Sequence, residues 1–447
     1  MGGGRCTRNG RFCTTCQGRT VGLPYFKIVG GNRLKGSVRV SGAKNAALPI
    51  MAASLLCEGE VVLHDLPQVA DVKSLAELLT KLGLQVERRP DGALSLTVRD
   101  EMNCKAEYDI VRKMRASICV LGPLLAKRGR AEVSMPGGCA IGDRPVDLHI
   151  RAMKKLGADV ELVSGDLVAR AKRLRGAEMF LGGAFGSTVL GTANAMMAAV
   201  FAEGVTVIEM AACEPEVVDL ANFLNACGAS ITGQGTPRIV IEGVRELKGC
   251  EYRIIPDRIE AGTFMVAAAI TNSELKLDNC RLDHLMAFID RLAAIGVQVE
   301  RAENGAVVSS ARRLEPAEVT TQPFPGFPTD LQAQTMALLC LADGNSIITE
   351  KIFPDRFLHV AELNRMGARL RKEGPTVIVE GVKRLIGAPV MASDLRASAA
   401  LVLAGLAARG LTVVNRVYHL DRGYERLEEK LRSLGADIER CEGGEEE

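Results

Sequence analysis

A glycine that closes one helix and opens one strand recurs six times along this chain. It falls at Gly83, Gly157, Gly228, Gly296, Gly367 and Gly435, at intervals of 74, 71, 68, 71 and 68 residues. Alternating apolar residues follow each one, as in Leu84-Gln85-Val86 and Ala158-Asp159-Val160, the period of a half-buried strand. An amphipathic helix precedes each one. Leu75, Leu78, Leu79 and Leu82 keep the i, i+3, i+4, i+7 spacing, and so do Leu285, Phe288, Ile289 and Leu292. A glycine just past such a helix supplies its left-handed cap. Six units of about 70 residues follow, an internal repeat that limits the fold before any motif is weighed. The expected class is α/β.

A second helix precedes each amphipathic one and is Ala-rich and apolar on most sides. The spans read as 46–56, 118–126, 190–202, 264–270, 335–342 and 398–408. A helix apolar all round is a buried helix. Six buried helices in equivalent positions present their N-termini to a common region. Those ends carry unpaired N–H groups and partial positive charge, which suits anions. Lys44, Asn45, Arg115, Gly186, Ser187, Asp257, Arg258, Asp330, Asp394 and Arg396 flank them. A second set of loops, before the amphipathic helices, holds Cys139 to Arg144, Asp355-Arg356 and Asp421-Arg422. Capping and solvation explain many such residues singly. Recurring arginines without acidic excess point to an anion-binding cleft between two halves of three units each.

Composition excludes some alternatives. A formal charge of +2 and the absence of Trp argue against nucleic-acid binding by bulk charge or stacking. The longest apolar runs fall short of the ~20 residues that span a bilayer, so no membrane insertion is expected. Thirteen cysteines, an odd number, are scattered behind an N-terminus with no apolar signal core. The expectation is a reducing cytoplasm.

One cysteine stands apart. Pro136-Gly137-Gly138-Cys139-Ala140-Ile141-Gly142-Asp143-Arg144-Pro145 places a thiol in a glycine-rich loop with an arginine five residues on. Arg144 favours a thiolate and can grip an anion.

Seven segments, in order, carry a resemblance. They are Ser41-Gly42-Ala43-Lys44-Asn45, Met114-Arg115-Ala116-Ser117, and the Cys139 loop through Pro145-Val146-Asp147-Leu148-His149. Then come Pro256-Asp257-Arg258-Ile259-Glu260, Phe327-Pro328-Thr329-Asp330, Asp394-Leu395-Arg396-Ala397-Ser398 and Asp421-Arg422-Gly423-Tyr424-Glu425-Arg426. From about Tyr25 to Arg440 the chain resembles the UDP-N-acetylglucosamine 1-carboxyvinyltransferases, a family of enolpyruvyl transferases. The resemblance implies a two-domain inverted α/β barrel with three repeats per domain. The N-terminal strand would pack with the C-terminal half: residues 25–44 with 256–441 as one domain, and 45–255, with the Cys139 loop, as the other. It also implies transfer of the enolpyruvyl group of phosphoenolpyruvate to the 3-hydroxyl of UDP-N-acetylglucosamine. Phosphate leaves through a tetrahedral intermediate, without metal or organic cofactor.

The same resemblance assigns roles. Cys139 matches the cysteine that donates a proton or forms an adduct and is alkylated by fosfomycin. Asp330 matches the carboxylate that takes the proton of the sugar hydroxyl; on its own it reads as a helix cap. Lys44, Arg115, Arg144 and Arg422 match phosphate- and carboxylate-gripping positions, and Arg356 and Arg396 match cations near the enolpyruvyl group. Asn45 and Asp394 match polar positions that order substrate and aid proton transfer. Pro145, Val146, Asp147 and Leu148 match the segment around the uracil ring; Gly186, Ser187 and Ile352 match further substrate contacts. Gly182 and Ala184 depart from the Lys and Ser common around the diphosphate, leaving Ser187 and the following helix N-terminus to hold it. Residues 1–24 have no counterpart and read as a disordered extension, although Cys6, Cys13 and Cys16 include a Cys-x-x-Cys pair that could ligate zinc. Residues 442–447 read as an acidic tail. The rival readings are the shikimate-pathway enolpyruvyl transferase, which lacks such a cysteine loop, a noncatalytic sugar-nucleotide sensor, and a structural scaffold.

Overall fold

A computed structural model describes residues 22–112, 114–135, 145–310 and 313–443. The Cys139 loop with Arg144, and the cysteines at 6, 13 and 16, lie outside the described residues.

The described strands form six four-stranded sheets of one pattern, with two small two-stranded pairs besides. In each of the six an edge strand runs parallel to the second, and the next two pairings are antiparallel. Glu318–Thr320, Asn345–Thr349, Thr376–Glu380 and Arg369–Glu373 illustrate it in sheet order. In that sheet the chain passes from the second strand through the helix His359–Arg365 to the outer strand, then turns back. Gly367 closes this helix with φ +84°, and Gly83, Gly157, Gly228, Gly296 and Gly435 hold similar positive values, a backbone state that glycine enters without steric cost.

The sixth sheet is assembled differently. Its order is Pro389–Met391, Leu411–Asn415, Gly22–Val29, Asp437–Gly443. The third place belongs to the first strand of the chain, antiparallel to both neighbours. That strand starts at Gly22, so residues 22–24 are sheet and not extension. The last strand likewise carries Glu442 and Gly443.

Six apolar helices fill the interior: Lys44–Ala53, Leu121–Arg128, Val189–Ala199, Arg258–Ile270, Gln332–Leu339 and Leu395–Ala407. Several begin earlier than apolar composition alone indicates. Arg258–Ile270 starts six residues before the expected 264 because Asp257 accepts the N–H groups of Ile259 and Glu260 at 2.8 and 3.0 Å. Asp394 does the same for Arg396 and Ala397 at 2.8 and 3.2 Å. A capping carboxylate satisfies donors that would otherwise be buried unpaired. The apolar side chains gather into two cores. One runs from Ala43 to Ile254. The other joins Phe26 to Val40 with Ile259 to Ile438.

The chain passes between the cores twice, and the two passages pair. Ala43 N donates to Ile255 O at 2.7 Å and Asp257 N to Ser41 O at 2.8 Å. Glu260, 2 % exposed, accepts the Ser41 N–H at 2.6 Å and pairs with Lys430 at 2.5 Å. Among the described residues no helix is long and apolar enough to cross a membrane.

Candidate active site

Asp330 lies in the short turn Thr329–Leu331, ahead of a buried helix. It caps no helix. Its Oδ1 accepts from Arg356 Nη1 at 2.8 Å, and its Oδ2 from Arg396 Nε at 3.2 Å and Nη2 at 3.1 Å. The arginines are 6 % and 2 % exposed, the carboxylate side chain 25 %. Burial would raise the Asp330 pKa. Arg396, Arg356 and Lys44 outweigh burial and hold the carboxyl well below its usual range. Arg396 Nη1 is buried and has no hydrogen-bond partner among the described residues. Native interiors rarely leave a charged donor so. Asp394 is 3.9 Å from Arg356, but its carboxylate is engaged in capping, which makes it a positioning group for Arg396.

Lys44 is the first residue of the helix Lys44–Ala53. Its Nζ is 2.9 Å from Asp71 Oδ2, and Arg422 Nε is 3.0 Å from Asp71 Oδ1. Asp71 sits in the first turn of Ala70–Lys81, with its side chain 5 % exposed. Burial works against its ionisation, yet Lys44 and Arg422 keep its pKa below the ordinary value. This carboxylate ties a lysine of the first core to an arginine of the second. Sequence reasoning missed it. The repeat held the signal, since Asp71 occupies in the first unit the loop-to-helix place that Asp421-Arg422 occupy in the sixth. Lys44 acts on both Asp71 and Asp330, so the two charge clusters are one constellation.

Arg115 opens the turn Arg115–Val120. Burial and then Arg115 push the His149 pKa down to about 4, so this imidazole is neutral at neutral pH. Asn194 Nδ2 donates to its Nδ1 at 3.1 Å. Asn45 is half-buried in the first turn of its helix. Val146 and Leu148 are buried and Pro145 and Asp147 exposed, leading into the helix Asp147–Lys155.

The Gly182 region differs from expectation. Gly182–Gly183 and Gly186–Ser187 form a small antiparallel hairpin with Ala184 and Phe185 at its tip. Ser187 therefore belongs to a strand, and Thr188 is the cap, accepting from Gly191 N at 3.2 Å. A Cβ on Gly183 would lie 3.2 Å from Leu148 Cδ1, and one on Gly186, where φ is +99°, 3.0 Å from Pro323 Cγ. The hairpin thus touches the Pro145-to-Leu148 segment on one side and the second core's loops on the other. Between hairpin and loops lies a cavity of about 770 Å³ lined by Phe185, Gly186, Pro323, Lys351 and Ile352 among others. That size suits a nucleotide-sized ligand.

Buried arginine forks, a clamped carboxylate and a nucleotide-sized cavity describe a site for a multiply charged substrate. The EPSP synthase (3-phosphoshikimate 1-carboxyvinyltransferase) family model matches residues 28–431. The UDP-N-acetylglucosamine 1-carboxyvinyltransferase of Methylacidiphilum infernorum is 54% identical, over 94% of this chain and 99% of its own. The protein of that name from Nitratidesulfovibrio vulgaris is 55% identical, over 92% and 98%. The chain belongs to the UDP-N-acetylglucosamine 1-carboxyvinyltransferase family. The structure also resembles the enolpyruvyl transferase NikO from Streptomyces tendae, with a TM-score of 0.86, 26% identity, and 95% of this chain and 100% of that one covered. EPSP synthase from Acinetobacter baumannii shares the mixed α/β fold, with a TM-score of 0.72 at 18% identity over 94% and 100% of the two chains. Family members carry carboxyvinyl transfer in their names.

Proposed function

We propose that the protein transfers the enolpyruvyl group of phosphoenolpyruvate to the 3-hydroxyl of UDP-N-acetylglucosamine. This is the committed step of cytoplasmic peptidoglycan precursor synthesis. The sugar oxygen bonds to C2 of phosphoenolpyruvate as a proton adds at C3, and the hydroxyl proton passes to a base. Loss of a C3 proton and of phosphate restores the double bond. Asp330 is the base. The arriving carboxylate and phosphate compete for Arg396 and Arg356, which loosens their hold on Asp330 and raises its basicity. The unpartnered Arg396 Nη1 is the observation that carries this reading. It is a buried cationic donor with capacity for one more anion. Arg356, Lys44 and Arg422 complete the charge balance, Arg115 and Arg144 serve as further cations for the substrate's anionic groups, and fixed cations act strongly in such a dry site. Cys139 serves as proton donor. Asn45 and Asp394 order the site, while Pro145, Val146, Asp147 and Leu148 hold the uracil, with Gly186, Ser187 and Ile352 beyond them.

The same reading extends to architecture. We take the six sheets as six repeats and the two cores as two domains of an inverted α/β barrel, the cleft between them being the site. The decisive experiment is phosphate release by purified protein. It should require phosphoenolpyruvate and UDP-N-acetylglucosamine together. Release with shikimate 3-phosphate instead moves the assignment to that enzyme, and none with either acceptor leaves a sensor.

A further inference from the structure

Glu350 is wholly buried at the end of the strand Asn345–Thr349. Its Oε1 accepts from Thr321 Oγ1 at 2.6 Å, Ile352 N at 2.8 Å and Phe353 N at 3.0 Å, and its Oε2 from Thr329 Oγ1 at 2.8 Å. Four donors consume this carboxylate, so it has little left for a cation in the cavity. The next residue, Lys351, has its own N–H held by Thr321 Oγ1 at 2.9 Å. Its backbone is pinned on both sides, and the residue lines the cavity together with Ala184, Phe185 and Gly186 of the hairpin. No described residue forms an ion pair with it. The cavity's other lysine, Lys372, has Asp355 at 3.8 Å and lies 5.5 Å from the Phe357 ring centroid. Among the described residues Lys351 is therefore the lysine of this wall without an ion-pair partner.

Position and charge agree. The hairpin opposite, Gly182 to Ser187, brings backbone and one hydroxyl but no cation. It abuts Leu148 at its near end. At the far end, Glu350 is linked through Thr329 to Arg356, whose Nη1 reaches Thr329 Oγ1 at 3.1 Å and Asp330 at 2.8 Å. A nucleotide sugar with its base at Leu148 and its hydroxyl at Asp330 carries its diphosphate past Lys351. We infer that Lys351 is a specificity-determining residue that binds the diphosphate of the acceptor nucleotide, supplying from the second core the charge that the hairpin lacks. The inference rests on the acceptor proposed above.

The test is steady-state kinetics on the full chain. Lys351→Ala should raise KM for UDP-N-acetylglucosamine by about 10- to 100-fold, the scale of one charged hydrogen bond. KM for phosphoenolpyruvate should hold, and kcat should change far less. Lys351→Arg should recover most of the loss, and Lys372→Ala should cost much less than Lys351→Ala. Competitive inhibition by UDP should weaken in Lys351→Ala, whereas inhibition by uridine, which lacks phosphate, should not. Unchanged KM in Lys351→Ala, or equal weakening of UDP and uridine, overturns the inference while the wild-type reaction stands. A wild type that does not turn over UDP-N-acetylglucosamine overturns the acceptor assignment itself, and this inference with it.

Discussion

Asp330 is held by two arginines that are themselves buried, and each partner restrains the other. Asp330→Asn keeps the shape but removes the charge that keeps Arg356 and Arg396 in place. Turnover should fall by at least ~100-fold, the usual contribution of a general base, while UDP-N-acetylglucosamine still binds by calorimetry. Turnover near wild type would reduce Asp330 to an anchor for its arginines. At this scale the sequence marked out charged residues that the structure finds buried, and was poor on what they touch. Lys44 and Arg396 stood out because charge is scarce beside apolar helices, and Arg356 because it lies in the recurring loops before the amphipathic ones. Lys44 and Arg356 find their carboxylates within their own units and Arg396 finds Asp330 66 residues back, but nothing in local spacing links Asp71 to Arg422, 351 residues away. Lys351 was equally silent. A lone lysine in a loop reads as solvated until the opposite wall is seen to carry no charge.

Among the elements, the apolar helices were legible because a helix with no polar face has only one place to go. Their first turns were not, since Lys44, Glu260 and Arg396 look like surface residues by type but are buried in the structure. The hairpin of Gly182 to Ser187 left no periodic trace at all, being glycine on three of its four paired positions. The passages between cores depend on one close contact. Gly42 pairs with Pro256 across an isolated bridge, and a Cβ there would stand 1.8 Å from the Asp65 carbonyl oxygen. Backbone cannot yield as a flexible side chain does. Gly42→Ala should therefore destabilise the protein by about 1–3 kcal/mol or more, as overpacking does. The measurement is a fall in the denaturation midpoint; an unchanged midpoint would mean the passage is looser than it looks.

On the scale of the whole molecule, two cores are joined by two paired segments and bridged by charge. Arg422 reaches Asp71, and Arg258 reaches Glu216 at 2.9 Å. The nucleotide sugar touches both cores in the proposed pose, so binding should draw them together and exclude water from the reaction. The radius of gyration from small-angle scattering should fall on adding UDP-N-acetylglucosamine, and no change at saturation would count against closure. The sixth sheet carries a consequence of another kind. Val29 and Leu411 are paired strand partners 382 residues apart. A ribosome adding ~5–20 residues per second needs about 20–80 s to cover that interval. Through all of it Phe26 and Ile28, fully buried at the end, have no sheet to join. The core from Ala43 to Ile254 draws on nothing made later, so it can complete while the leader strand trails outside it. Synthesis thus imposes an order of assembly on the chain: a strand made before either core is among the last to find its place.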